Sequence, residues 1–265
     1  MKSRILIFTM MIMGWFVLNA QTTMNIHQSN GTVLQIPLNT IDSITYAIPN
    51  PITSNPGAGV TFDGYTYSTI VLGNGQEWMA ENLRTTKYSD GTDIPLVTDS
   101  TQWANNYNNS TTLPMMCWYN NDQITYTANK FGALYNWYAV NISTNGNKNV
   151  CPAGWHVPTN LEWNGLTDYL GGALVAGGKM KSTGTQYWQT PNIGATNEIE
   201  FSGLPSGYRV PFGSFGGVGS SAYLWSSSDS NTSDAPIRYM DKNDGELDWG
   251  TNNKELGASI RCLKD

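Results

Sequence analysis

Few side chains in this sequence could carry chemistry, and their spacing narrows what it could be. The cysteines are Cys117, Cys151 and Cys262, and the histidines are His27 and His156. Two histidines cannot supply a three-histidine zinc centre. His156 stands in Gly-Trp-His-Val-Pro, but the chain has no G-x-S-x-G run, so no serine of that hydrolase type is placed for it to deprotonate. His156 therefore reads as a structural residue. The segment Asp241, Asn243, Asp244, Gly245, Glu246, Asp248 is dense in the oxygen ligands that calcium prefers. Its glycine stands fifth rather than sixth, unlike an EF-hand loop, and Asp, Asn and Gly also compose hairpin turns. The aromatic residues are the best lead to a ligand. Trp78, Trp137, Trp155 and Trp163 lie in apolar patterns and are expected in the core. Trp188, Tyr223, Trp225 and Trp249 lie among Gly, Ser, Asn and Thr. Flat rings beside amide side chains suit the C–H faces and hydroxyls of a sugar. These four are the candidate ligand-binding residues, within the loop-rich stretch 186–251. The sequence assigns no catalytic residue, metal ligand or cofactor.

Such rings need a folded scaffold and a compartment. Charged residues make up 13% of the 265, about half the usual ~25%, and 10 Trp with 14 Tyr argue against intrinsic disorder. The first 20 residues have the form of an export leader: Lys2 and Arg4, an apolar run from Ile5 to Leu18, then Ala20 at the expected cut. That run is shorter than the ~20 residues a membrane span needs, and no later segment approaches that length. Cleavage near Ala20 leaves 12 bases against 20 acids, a net charge of −8 where the whole chain has −6. An acidic chain without a basic stripe is a poor nucleic-acid binder. The expectation is a protein secreted or held at a bacterial cell surface, with no transmembrane segment in the mature chain.

Turn residues divide the rest. Residues 21–48 hold short apolar stretches, including Val33 to Ile36 and Ile41 to Tyr46, which suit two or three strands. Residues 49–59, with three Pro and two Gly, read as a linker. The main domain is expected over 60–265. Within it Tyr65 to Leu72 reads as a strand, Gly73-Asn74-Gly75 as a turn, and Gln76 to Ala80 as its partner. Phe131 to Val140 reads as a short helix. The clearest helix follows Pro158: Thr159 and Glu162 form a capping box, and Trp163, Leu166 and Leu170 form the apolar stripe. Gly171-Gly172 ends it. Brief apolar islands beyond it, Leu204 to Tyr208, Ala222 to Ser227, Ile237 to Met240 and Gly257 to Leu263, read as short antiparallel strands.

A series of words in this domain resembles the Fibrobacter succinogenes major paralogous domain. They are DGYTYSTIVLGNGQEWMAENLRTTKYSDGTDIP from Asp63, CWYNND from Cys117, FGALYNWYAV from Phe131 and CPAGWHVPTNLEWNGLTDYLGG from Cys151. GGKMKSTG from Gly177, FSGLPSGYR from Phe201, YLWSSS from Tyr223 and GASIRCLKD from Gly257 complete it. That family is similar to the C-type-lectin-like fold shared with formylglycine-generating enzymes. The resemblance implies an α+β, loop-rich domain with short antiparallel strands, two short helices and ends close together. It also implies a Cys151–Cys262 disulfide tying the helix start to the last strand, with Cys117 left free. A formylglycine-type oxidase would need a reactive cysteine pair, and one remaining thiol is no copper site. The expected function is a non-catalytic lectin-like binding or adhesion module. Its partner is expected to be a glycan or another surface protein; a structural envelope component is the second reading.

Overall fold

The computed structural model describes residues 23–27, 32–40 and 52–265. The leader and the stretch Ile41 to Tyr46 lie outside the described residues. The chain divides into two units, 1–49 and 50–265. In the first, strands Thr23–His27 and Val33–Pro37 pair antiparallel, Met24 against Ile36 and Asn25 against Gln35. Among the described residues, no helix is long and apolar enough to cross a membrane.

The second unit is built on two five-stranded sheets. In the first, the order is Trp155–His156, Leu263–Lys264, Glu77–Met79, Thr69–Leu72, Ser54–Pro56, all antiparallel. This corrects the expected linker: Ser54–Pro56 is a strand, with Pro56 opposite Ile70. Proline is tolerated there because the strand is an edge and needs no second row of donors. The chain's last strand lies three places from this edge, so both ends of the unit share one sheet. In the second sheet the order is Phe215–Val218, Ser206–Arg209, Ser221–Trp225, Asp234–Asp241, Asp248–Asn253. Only the pairing of Ser206–Arg209 with Ser221–Trp225 is parallel. The four apolar islands thus fall on or beside strands. A pleated strand sends alternate side chains to opposite faces. Tyr223 and Trp225 accordingly join one core, while Ala222 and Leu224 join another.

Helix Asn160–Tyr169 starts as expected: Thr159 and Glu162 complete the capping box, and Trp163, Leu166 and Leu170 are fully buried. They pack with Ile70 and Trp78 of the first sheet and Leu224 and Met240 of the second, so this helix spans both. Three expectations need correction. Tyr65 to Leu72 is two strands, Tyr65–Tyr67 and Thr69–Leu72, broken at Ser68, whose N–H and hydroxyl both donate to Glu81. Phe131 to Val140 is helical only over Trp137–Val140; Leu134–Tyr135 is a strand, and the Asn136 side chain caps the turn between them. Finally, the described residues hold three α-helices beyond the two expected: Ser100–Asn109, Gln123–Ala128 and Ala173–Met180. The first is mostly Asn, Thr and Gln, which mask a helical period. The last contains Gly177-Gly178, which locally disfavour a helix.

Those two glycines explain the word GGKMKSTG. A Cβ on Gly177 would lie 1.8 Å from the Glu246 carbonyl oxygen, and one on Gly178 would lie 2.3 Å from that of Gly194. The helix packs directly on the backbone of two loops, and only glycine permits that approach.

Candidate functional site

A cleft of about 590 Å³ opens where the first sheet, the Gln123–Ala128 helix and the 182–204 loops meet. Ser68, Thr69 and Ile70 come from the strand edge and Glu81 from the residues just after Glu77–Met79; Asn129 and Lys130 follow the helix. Ser182, Tyr187, Asn197 and Glu200 come from the loops. Glu81 is the anchor. It is 5% exposed, and its carboxylate accepts from Tyr65 Oη at 2.6 Å, Ser68 Oγ at 2.8 Å and Ser68 N at 3.1 Å. Lys130 Nζ lies 3.3 Å away and Arg84 Nη2 3.6 Å away. Burial pushes the Glu81 carboxyl up, but the hydrogen bonds from Tyr65 and Ser68 and the Lys130 ammonium outweigh it, leaving the acid below its ordinary value. The same burial and the adjacent carboxylate raise the Tyr65 phenol to about 12.

Gly132, at φ +78°, lets the chain after Lys130 press on residues 82–83, where a Cβ would lie 2.6 Å from the Leu83 carbonyl oxygen. Ala133 N donates to that oxygen at 2.9 Å. This contact holds Lys130 beside Glu81. On the facing wall Tyr187 is half-buried and meets Phe131 edge-on at 5.7 Å. The Ser182 hydroxyl is shielded from solvent and has no hydrogen-bond partner. The cleft thus offers an aromatic ring, a compensated carboxylate, an ammonium and amides. Its volume falls within the ~300–1,000 Å³ of small-molecule sites.

The four aromatics expected to bind a ligand do not come together. Trp188 is buried and donates its indole N–H to the Gly203 carbonyl at 3.0 Å. Trp225 is buried and donates to the Tyr135 carbonyl at 2.9 Å. Both are loop and sheet pins, closed to a ligand because each indole is spent inside the core. Tyr223 is half-buried between Tyr208 and Tyr239, with ring centroids 5.0 and 5.6 Å away. Trp249 is 67% exposed. Tyr223 pairs with Tyr239 and Trp249 with Arg238, so the pleat puts them on opposite faces of one sheet. The cleft instead uses Tyr187, the neighbour of Trp188. Sequence reasoning passed over Tyr187, although it stands in the stretch 186–251. It also passed over Glu81, whose only signal was an acid placed directly after an apolar strand.

The disulfide implied by the resemblance is present: Cys151 and Cys262 are bonded across 111 residues. Cys117 is free and buried, and burial raises its thiol to about 12. The oxygen-rich turn after Asp241 is held by an internal cation. Lys181, fully buried, donates from Nζ to the carbonyls of Asp241, Asp244 and Ile193 at 2.8, 2.5 and 2.9 Å. Among the described residues no group of three His, Cys, Asp or Glu side chains is arranged to hold a metal. Buried arginines pin other loops in the same manner. Arg261 donates to the carbonyls of Phe201, Ser202 and Met79 and to Asn82 Oδ1. Arg209 donates to those of Val97, Thr98 and Gly213. His156 bridges Asp265 at 2.6 Å and Glu162 at 3.0 Å, bracing the helix start against the last residue.

No curated protein and no solved structure matches the chain. The family model described as the Fibrobacter succinogenes major domain matches residues 71–264. That stretch includes the central helix, both disulfide cysteines and most of the cleft, and by it the chain belongs to the Fibrobacter succinogenes major domain family.

Proposed function

We propose that this protein is an exported, non-catalytic binding module of C-type-lectin-like architecture, and that its cleft takes a short neutral glycan. The observation that carries the reading is the composition of the cleft: Tyr187 lines it together with polar residues, among which Glu81 is already neutralised by Lys130 and Arg84. A ring offers a face for sugar C–H groups, while hydroxyls and amides serve the sugar hydroxyls. A compensated carboxylate leaves little net charge to demand from the ligand. The lectin-like architecture is supported by two terminal strands in one sheet and by a disulfide joining the helix start to the last strand. Export is supported by the leader and by that disulfide, since such bonds persist in oxidising compartments. The non-catalytic reading is supported against an oxidase by the burial of Cys117, the thiol left outside the disulfide, which suppresses its thiolate.

The test is a glycan array probed with the full chain, followed by calorimetry on the hits. Neutral oligosaccharides are expected to bind, and Tyr187→Ala is expected to weaken them about tenfold, or ~1.4 kcal/mol, with circular dichroism still that of the folded chain. EDTA is expected to leave binding intact. If no glycan binds, the structural envelope component becomes the better reading.

A further inference from the structure

We propose a second binding site, for an extended and uncharged stretch of polypeptide, in the groove between helix Ser100–Asn109 and residues 111–115. The groove measures about 390 Å³ and shares no residue with the cleft. On one side the helix presents Gln102, Asn105 and Asn109. These recur at i, i+3 and i+7, so they share one face. Their side chains are exposed, and none makes a hydrogen bond to the described residues of the protein. On the other side stand Pro95, Leu113 and Pro114.

The second wall is fixed from behind. Asn106, buried beneath the exposed amides, donates to the Leu113 carbonyl at 2.6 Å and accepts from Thr111. Asn136 donates to the same carbonyl at 2.8 Å and accepts from Met115 N at 2.9 Å. Leu113 is nonetheless 62% exposed. The protein therefore spends two buried asparagines on holding an apolar side chain in water, opposite three uncommitted amides. A wall already rigid loses little freedom on binding.

The chemistry of the groove selects its occupant. A side-chain amide carries the same donor and acceptor as a peptide unit. Three of them over two helical turns span ~10 Å, about three residues of extended chain at ~3.3 Å each. The Pro and Leu wall suits the apolar side chains that such a chain presents on alternate sides. No lining residue is charged, so a charged side chain of either sign would give up water in the groove without gaining a partner. No aromatic ring lines it, in contrast to the cleft, which turns the preference away from sugars.

The test uses an array of uncharged hexapeptides composed of Ala, Leu, Pro, Ser and Thr. Acidic and basic hexapeptides and neutral oligosaccharides are run in parallel. The full chain is expected to retain uncharged peptides. The double variant N105A/N109A, and separately Leu113→Ala, are expected to weaken them about tenfold or more, which is ~1.4 kcal/mol. All three positions are exposed, so circular dichroism and melting should match the parent. Tyr187→Ala, which reports on the cleft, should leave peptide retention unchanged. Retention of no uncharged peptide, retention unaffected by both groove variants, or oligosaccharides displacing peptide from the groove would each overturn the proposal.

Discussion

Single buried cations organise this protein's loops, and Lys181 shows how. Its ammonium satisfies three backbone carbonyls from two separate loops, although burial lowers its pKa and so opposes the charge. Lys181→Met removes the desolvation cost but orphans three acceptors, each worth ~1–3 kcal/mol when left unpaired. The acceptors win, and urea denaturation should show a loss of about 2–4 kcal/mol. Glu81 sets an acid limit. Its folded-state pKa lies below the ordinary 4.5, so its contribution is complete above pH 4.5 and is lost as pH falls through the folded value. Melting temperature measured from pH 6 to pH 3 should fall, and Glu81→Gln should flatten that slope from a lower starting point. Cys117, with its thiol raised to about 12, should ignore a thiol reagent at pH 8 in the native protein. One thiol per chain should react after unfolding.

At the scale of elements, packing outweighs propensity. Helix Asn160–Tyr169 has a complete capping box, yet its contribution rests on the stripe that joins two sheets. Leu166→Ala should cost ~2–5 kcal/mol and Thr159→Ala only ~0.5–2 kcal/mol; a denaturation series reports the order. Helix Ala173–Met180 makes the opposite point. Alanine is favoured over glycine by ~1 kcal/mol inside a helix, so Gly177→Ala should stabilise if propensity ruled. The new Cβ would sit 1.8 Å from the Glu246 carbonyl oxygen, and the helix must then move off its loop. Gly177→Ala is therefore expected to lower the melting temperature, and scanning calorimetry would show it.

Over the whole molecule, the Cys151–Cys262 bond is the longest-range covalent constraint, at a separation of 111 residues. In the chain-entropy treatment, closing a loop of that size contributes ~4–5 kcal/mol. For a domain of about 200 residues ~1 kcal/mol corresponds to ~2–4 °C. The double variant C151A/C262A should thus melt about 10 °C lower, and reducing agent should act similarly on the parent. The disulfide lies against the core that contains Trp225, Tyr135 and Ile260, and its cysteines precede two neighbouring strands of the first sheet, Trp155–His156 and Leu263–Lys264; the two sheets themselves are joined by packing.

Local chemistry explains what could be read from the chain. A capping box, the Gly73-Asn74-Gly75 turn and an i, i+3, i+7 stripe are complete within a few residues, so Thr159, Glu162, Trp163, Leu166 and Leu170 announced their helix. The order of words announced the family and, with it, the cysteine pairing. Burial of a given aromatic was not local. Tyr187 and Trp188 are adjacent and chemically alike, yet one lines the cleft and the other donates to Gly203 in the core. Which of them faces out depends on a carbonyl 15 residues away. The cleft likewise joins Glu81 to Lys130, 49 residues apart, through a glycine whose role appears only when residues 82–83 press against it. The sequence by itself determined the helix, the turns and the family. Only the tertiary structure decided which rings are free to meet a ligand, because exposure is a property of what packs on a side chain and not of the residues beside it.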